Sequence, residues 1–206
     1  MQKITIVDYG AGNLGSMQNM FKKIGFPAEI SNNPEEILKA DKIILPGVGA
    51  FDNGMEKLNQ SGLRTALDEA ILKKGTPILG VCLGMQLLTK SSEEGVLDGL
   101  GWIPAKTIKF QLEDKGLKVP HMGWNEIIIK NESPLLSEFT GVGDRFYFVH
   151  SYHVVCEKVE NILLTAKYGV EFTCGIVFDN IYGVQFHPEK SHKFGMKLLT
   201  NFAQKV

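Results

Sequence analysis

Four short strand-like runs punctuate the first half of the chain, "ITIVDY", "AEI", "KIILPG" and "PILGVC", the first of them continuously apolar. A run without polar alternation marks a strand covered on both faces. Between the runs lie stretches with helical spacing. Leu14, Met17, Phe21 and Ile24 share one face, and Gly25 and Pro27 stop that helix. Asn33-Pro34-Glu35-Glu36 reads as a cap, a proline at the first helical position and two acids in the first turn. Leu63, Ala66, Leu67, Ala70 and Ile71 predict a further helix, stopped by Gly75. Strands linked through helices become parallel neighbours, so the pattern predicts an α/β fold with an open, doubly wound, mostly parallel sheet. Ligands of such sheets bind beyond the carboxyl ends of the strands. The loops after Tyr9, Leu45 and Val81 are therefore candidates.

The second half reads differently. "GWIPAKTIKF", "WNEIIIK", "RFYFVHSYHVV", "ILLTAKY", "FTCGIVFD" and "IYGVQFHPE" are short β-like runs divided by Gly, Pro, Asn or Asp. They predict an antiparallel β extension, and a closing helix carries Phe194, Leu198, Leu199 and Phe202. At 206 residues, with no linker or repeat, residues 1–206 are expected to form a single domain. Net charge is −1 and no polybasic run occurs, which argues against a nucleic-acid partner. No apolar run reaches the roughly 20 residues of a membrane span. "MQKITIVDYG" enters a strand without a signal-peptide pattern, so a cytoplasmic location is expected. Cys82, Cys156 and Cys174 are odd in number and widely spaced, which argues against both a disulfide framework and a metal site.

The most informative segment is Gly80-Val81-Cys82-Leu83-Gly84-Met85-Gln86. Cys82 follows a buried strand and has glycines at −2 and +2, the spacing of a nucleophile elbow with Cys for Ser. Such a turn needs small neighbours, lifts the thiol off the strand end and aims the Leu83 N–H where an oxyanion would form. An ordinary buried cysteine is the bland alternative for an isolated residue, but the paired glycines reverse that preference. A thiol nucleophile needs a base and the base an orienting group. His187, at the carboxyl end of "IYGVQF", and Glu189 two residues on supply both. A solvated surface loop is the bland reading of that pair, and His192 leaves a weak metal alternative.

"GAGNLG" at 10–15 also fits the G-x-G-x-x-G of a dinucleotide site. Asp8 beside it would oppose a pyrophosphate, Glu29 sits inside "AEIS" rather than at the strand end, and no hydride-transfer constellation appears. A tight turn is preferred, and no cofactor is expected.

Together, Gly80–Gln86 and Gln185-Phe186-His187-Pro188-Glu189 resemble the class I (triad) glutamine amidotransferases, whose flavodoxin-like fold agrees with the sheet read above. "LPGVGAFDNGM" at 45–55, "PHMGWN" at 120–125, "FVHSY" at 148–152 and "FHPEKS" at 186–191 narrow the likeness to the glutaminase subunits of imidazole glycerol phosphate synthases. The resemblance covers essentially the whole chain. It implies hydrolysis of L-glutamine through a γ-glutamyl thioester, with Cys82 as nucleophile, His187 as base and then acid, and Glu189 orienting His187. It implies oxyanion donors at Leu83 and Val48, the latter turning inward when a partner binds, with Gly47 as the pivot. Gly49, Gln86, Glu94 and the Ser151-Tyr152 backbone match positions that hold glutamine. Asn13, Trp124, Tyr147 and Lys190 match positions at the subunit contact. The implied partner is a separate (β/α)₈-barrel cyclase that takes the ammonia, giving a heterodimer that makes imidazole glycerol phosphate and an aminoimidazole carboxamide ribotide in histidine biosynthesis. Three alternatives stand beside this: the same glutaminase serving a sugar-amidating partner in surface-polysaccharide synthesis, another cysteine hydrolase of similar fold, and a non-enzymatic scaffold, against which the intact Cys82, His187 and Glu189 speak.

Overall fold

The computed structural model describes residues 2–206. Its first half is β1 (Ile4–Val7), α1 (Leu14–Lys23), β2 (Ala28–Ser31), α2 (Pro34–Leu38), β3 (Lys42–Gly47), α3 (Phe51–Gln60), α4 (Leu63–Asp68), β4 (Ile78–Cys82) and α5 (Leu83–Leu87). The second half is β5 (Ala105–Lys109), β6 (His121–Glu126), β7 (Ile128–Ile129), β8 (Arg145–His150), β9 (Tyr152–Cys156), β10 (Ile162–Tyr168), β11 (Val170–Phe178), β12 (Ile181–Val184) and α6 (His192–Lys205).

The main sheet runs β2-β1-β3-β4-β12-β11-β10-β7. Pairing is parallel from β2 through β12 and antiparallel from β12 to β7. β9 joins β11 and β5, while β6 and β8 form a separate two-stranded antiparallel sheet.

Alternate strand residues enter two cores, which is why the apolar runs are unbroken. Ile4, Ile6, Ile44, Leu79 and Val81 pack with α1 and α6 through Met17, Phe21, Leu198 and Phe202. Val7, Ile43, Leu45 and Ile78 pack with α2 to α5 through Ile37, Met55, Leu67 and Leu87. Phe21 and Phe202 are fully buried, each stabilising by roughly 1.5–3 kcal/mol.

Four features differ from the sequence reading. "IYGVQF" belongs to the parallel core: β12 lies beside β4. "RFYFVHSYHVV" is two strands, broken at Ser151 between β8 and β9. The stretch after Gly49 forms a helix, α3, which the loop-like "GAFDNG" conceals. The helix through Leu63–Ile71 turns π-helical over Glu69–Lys73, and Asn180 Nδ2 donates to the Ile71 and Thr76 carbonyls at its end. The Asn33 cap forms as read, accepting from Glu35 N–H at 2.9 Å.

Candidate active site

Three adjacent parallel strands end on one side of the sheet. Gly47 pairs with Cys82 at the ends of β3 and β4, and Val81 pairs with Val184 at the ends of β4 and β12. The segments after Gly47, at Cys82 and after Val184 therefore emerge side by side.

Cys82 closes β4 and Leu83 opens α5, so the reversal takes place at one residue. Cys82 accordingly sits at φ +55°, a strained region for a side-chain-bearing residue, costing on the order of 1–3 kcal/mol. The flanking glycines make the turn possible. A Cβ on Gly84 would lie 1.9 Å from Leu45 O, and one on Gly80 would lie 2.8 Å from Gly84 O. The sulfur is nearly buried but lines an open cavity of about 320 Å³, a size at the low end of small-molecule sites.

His187 follows β12 and is fixed through its backbone. Its N–H donates to Tyr147 O at 2.9 Å, and its carbonyl accepts from Ser191 Oγ at 2.6 Å. Nδ1 lies 2.8 Å from Glu189 Oε1, and both side chains are 3% exposed. Burial alone would lower the His187 pKa. Interaction with the neighbouring Cys82 and Glu189 outweighs it and raises the value to about 9. With Nδ1 taken by Glu189, the remaining nitrogen is the one available to Cys82.

The second oxyanion candidate comes from the end of β3. A Cβ on Gly47 would lie 2.7 Å from Tyr9 Oη and 2.8 Å from Gly84 N, so close approach requires glycine there. Two residues on, Gly49 sits at φ +101°. Val48, 47% exposed, and Gly49 both line the cavity. Both ends of this segment are tied: Tyr9 Oη donates to Pro46 O at 2.8 Å, and Phe51 N–H donates to Glu94 Oε2 at 2.9 Å.

The cavity also gathers Leu83, Gln86, Glu94, Ser151 and Tyr152. Gln86 Nε2 donates to Tyr152 O at 3.3 Å and to Gln185 Oε1 at 3.0 Å. Gln185 and His150 are site residues that the sequence alone does not single out. Gln185 Nε2 lies 3.7 Å from Cys82 Sγ, and His150 lines the cavity wall. Both stand inside recognisable motifs, so a signal was present, but their roles depend on strand pairing.

Three of the four rim candidates cluster. Lys190 lines the cavity and its Nζ sits 5.8 Å over the Tyr147 ring. Trp124 meets Tyr147 edge-on at 6.3 Å and stacks on His192 at 5.6 Å. Asn13 is exposed at the start of α1, and its side chain makes no cap bond. In "GAGNLG" the Asp8 carboxylate accepts from Gly10 N–H at 3.1 Å, and a Cβ on Gly12 would crowd Pro46 Cβ at 3.1 Å. These glycines pack the turn onto the end of β3, and the acid takes up a loop amide that a phosphate would need.

The glutamine amidotransferase class-I family model matches residues 5–206. Imidazole glycerol phosphate synthase subunit HisH 2 of Methanococcus maripaludis is 58% identical over 205 residues, covering 98% of this chain and 100% of that protein. The protein of the same description from Pseudomonas aeruginosa is 50% identical over 205 residues, covering 98% and 100%. Among solved structures, PurLQS from Thermotoga maritima aligns with a TM-score of 0.71 at 18% identity, covering 98% of this chain and 97% of that one. At that identity the likeness speaks to fold alone.

Proposed function

Because the chain belongs to the class-I glutamine amidotransferases, we propose that it is the glutaminase subunit of an imidazole glycerol phosphate synthase in histidine biosynthesis. One observation carries the reading: Cys82 and His187 line the same cavity, open to a small polar substrate, and His187 Nδ1 lies 2.8 Å from Glu189 Oε1.

Glutamine enters with its side-chain amide over Cys82, held by Gly49, Gln86, Glu94 and the Ser151-Tyr152 backbone. His187 takes the thiol proton, and the sulfur attacks the carboxamide carbon. The negative oxygen of the tetrahedral intermediate accepts hydrogen bonds from Leu83 N–H and, once the loop turns inward, from Val48 N–H. The raised His187 pKa suits the ring to hold the proton drawn from sulfur and to deliver it to the departing nitrogen. The ring accepts the thiol proton, then returns it to the departing nitrogen, releasing ammonia and leaving a thioester. His187 next deprotonates a water that attacks the thioester, freeing glutamate and restoring the thiol. Glu189 keeps His187 in the tautomer and orientation that both steps need.

Ammonia released into water becomes protonated and loses its nucleophilicity, so the reading requires an acceptor on a partner. The relatives are named as subunits. The partner proposed is a (β/α)₈-barrel cyclase docked over the carboxyl edge of the sheet near Asn13, Trp124, Tyr147 and Lys190.

The test is Cys82→Ala in the complex with the cyclase. Glutamine-dependent synthesis should vanish and ammonia-dependent synthesis remain; loss of both contradicts the division of labour. Turnover of glutamine only beside a sugar-amidating partner would reassign the acceptor.

A further inference from the structure

The side chains of His121 and His150 take no step in the reaction above, yet the fold joins them. β6 and β8 pair so that His121 stands opposite His150, and His121 Nδ1 lies 3.0 Å from His150 Nε2. At one end, His150 Nδ1 lies 2.7 Å from the Tyr152 carbonyl oxygen. At the other, Asn125 Nδ2 lies 3.3 Å from His121 Nε2 and 2.9 Å from Lys167 O.

The direction of this chain follows from its ends. A carbonyl only accepts, so His150 Nδ1 carries a proton. In a neutral ring Nε2 is then bare and accepts from His121 Nδ1–H. His121 Nε2 is bare in turn and accepts from Asn125. The Asn125 amide cannot flip to reverse the order: its nitrogen donates to Lys167 O, and its oxygen accepts from Glu126 N–H at 2.9 Å. The surroundings favour neutral rings. His121 stacks against Tyr168 at 4.2 Å and Phe148 at 4.9 Å, while Phe110 and Phe172 flank His150 at 5.2 and 5.3 Å. Burial lowers the pKa of His121 to about 4. Burial, the largest influence, also lowers that of His150 to about 3.

The chain ends where substrate recognition begins. Tyr152 O also receives Gln86 Nε2 at 3.3 Å, and Ser151 O receives Phe110 N–H at 3.1 Å. Ser151 is the one-residue junction where the chain leaves β8 for β9, and it lines the cavity. We propose that Asn125, His121 and His150 are positioning residues for glutamine, forming a one-way chain of hydrogen bonds that holds the Ser151-Tyr152 backbone in its binding geometry. Fixing binding groups before the substrate arrives removes an ordering cost from binding. This inference rests on the glutaminase reading.

Two substitutions separate the hydrogen bond from the packing. His121→Phe keeps a ring in the aromatic stack and removes the donor; His121→Asn returns an amide nitrogen near the position of Nδ1. Measured on the complex with the cyclase, His121→Phe should raise KM for glutamine about three- to tenfold, the range of one ordinary hydrogen bond, with kcat little changed. His121→Asn should recover most of the loss. Independently of activity, ¹⁵N spectra of the histidine-labelled full chain should show His150 as the Nδ1–H tautomer with Nε2 hydrogen-bonded, and that Nε2 signal should move in His121→Phe. An Nε2–H tautomer at His150, or a folded His121→Phe with unchanged KM, overturns the proposal. A wild-type complex that turns over no glutamine overturns the glutaminase reading instead, and with it the assigned substrate, while the spectra still decide the direction of the chain.

Discussion

His187 and His150 are both buried imidazoles held at Nδ1 by an oxygen, yet their proton affinities move in opposite directions. His187 faces Glu189 and Cys82, and its pKa rises to about 9. His150 faces a backbone carbonyl and a second neutral ring among aromatic walls; burial dominates and its pKa falls to about 3. Exposure is nearly the same, 2% and 6%. Burial strengthens whatever electrostatics surrounds a group, so the neighbour's charge decides the sign. One ring is fitted to carry a proton between sulfur, nitrogen and water, the other to hold a carbonyl in place.

Removing the carboxylate should erase that difference. Glu189→Gln leaves His187 with a neutral neighbour and should cost roughly 10²–10⁴ in glutamine turnover, the range for a positioned acid–base group. Glutamate release measured in the cyclase complex checks this, and activity close to wild type would remove Glu189 from the mechanism. His187→Ala should cost as much or more.

The next effect is on stability in acid. The folded pKa values of His121 and His150 lie near 4 and 3, below the ordinary 6.5. Between pH 6.5 and 4 the unfolded chain takes up protons that the folded chain refuses, so stability falls as pH falls. A tenfold change in proton affinity is worth about 1.4 kcal/mol. After discounting for relaxation and water entry, the two rings should together cost on the order of 3 kcal/mol across this window. Denaturant melts at a series of pH values measure it, and His121→Phe should flatten the slope.

His187 has the opposite sign. Its raised pKa contributes stability that is complete below pH 6.5 and lost as pH rises through about 9. The expected loss is on the order of 2 kcal/mol, and Glu189→Gln should move it to lower pH. A stability curve without a fall between pH 6.5 and 9 would contradict the charge pairing at Glu189.

The two rings also differ in how plainly the sequence announces them. His187 and Glu189 are two residues apart at the end of an apolar strand, and Cys82 stands between its own glycines, so the components of the line are local. Their meeting needs only that β12 and β4 be parallel neighbours. The His121–His150 contact spans 29 positions and exists only in one register of β6 on β8. A one-residue slip would put the two rings on opposite faces, and no local pattern specifies that pairing. The same limit applies to Gln185 and Tyr9, whose partners lie 103 and 37 positions away. The parallel core was legible because unbroken apolar runs have few solutions; α3 was not, because glycine, aspartate and asparagine at its start read as loop.

His153 gives the smallest effect and isolates burial from pairing. It stacks on Phe110 at 4.7 Å, its pKa is lowered chiefly by burial, and its Nδ1 finds no hydrogen-bond partner among the described residues. An unpaired buried ring nitrogen detracts from the folded state, and replacing the ring with an apolar group of similar size removes that cost while keeping most of the contact area. His153→Leu should therefore change stability near neutral pH by no more than ~1 kcal/mol, against the several expected when a buried charge loses its partner. It should also soften the acid slope, because one fewer buried ring resists protonation. Glutamine turnover should stay within about twofold of wild type, as the His153 side chain is not among the hydrogen-bond partners of Cys82 Sγ or Tyr152 O. A large loss of stability would mean that His153 donates to a group the static structure leaves unpaired, and burial alone would no longer distinguish it from His150.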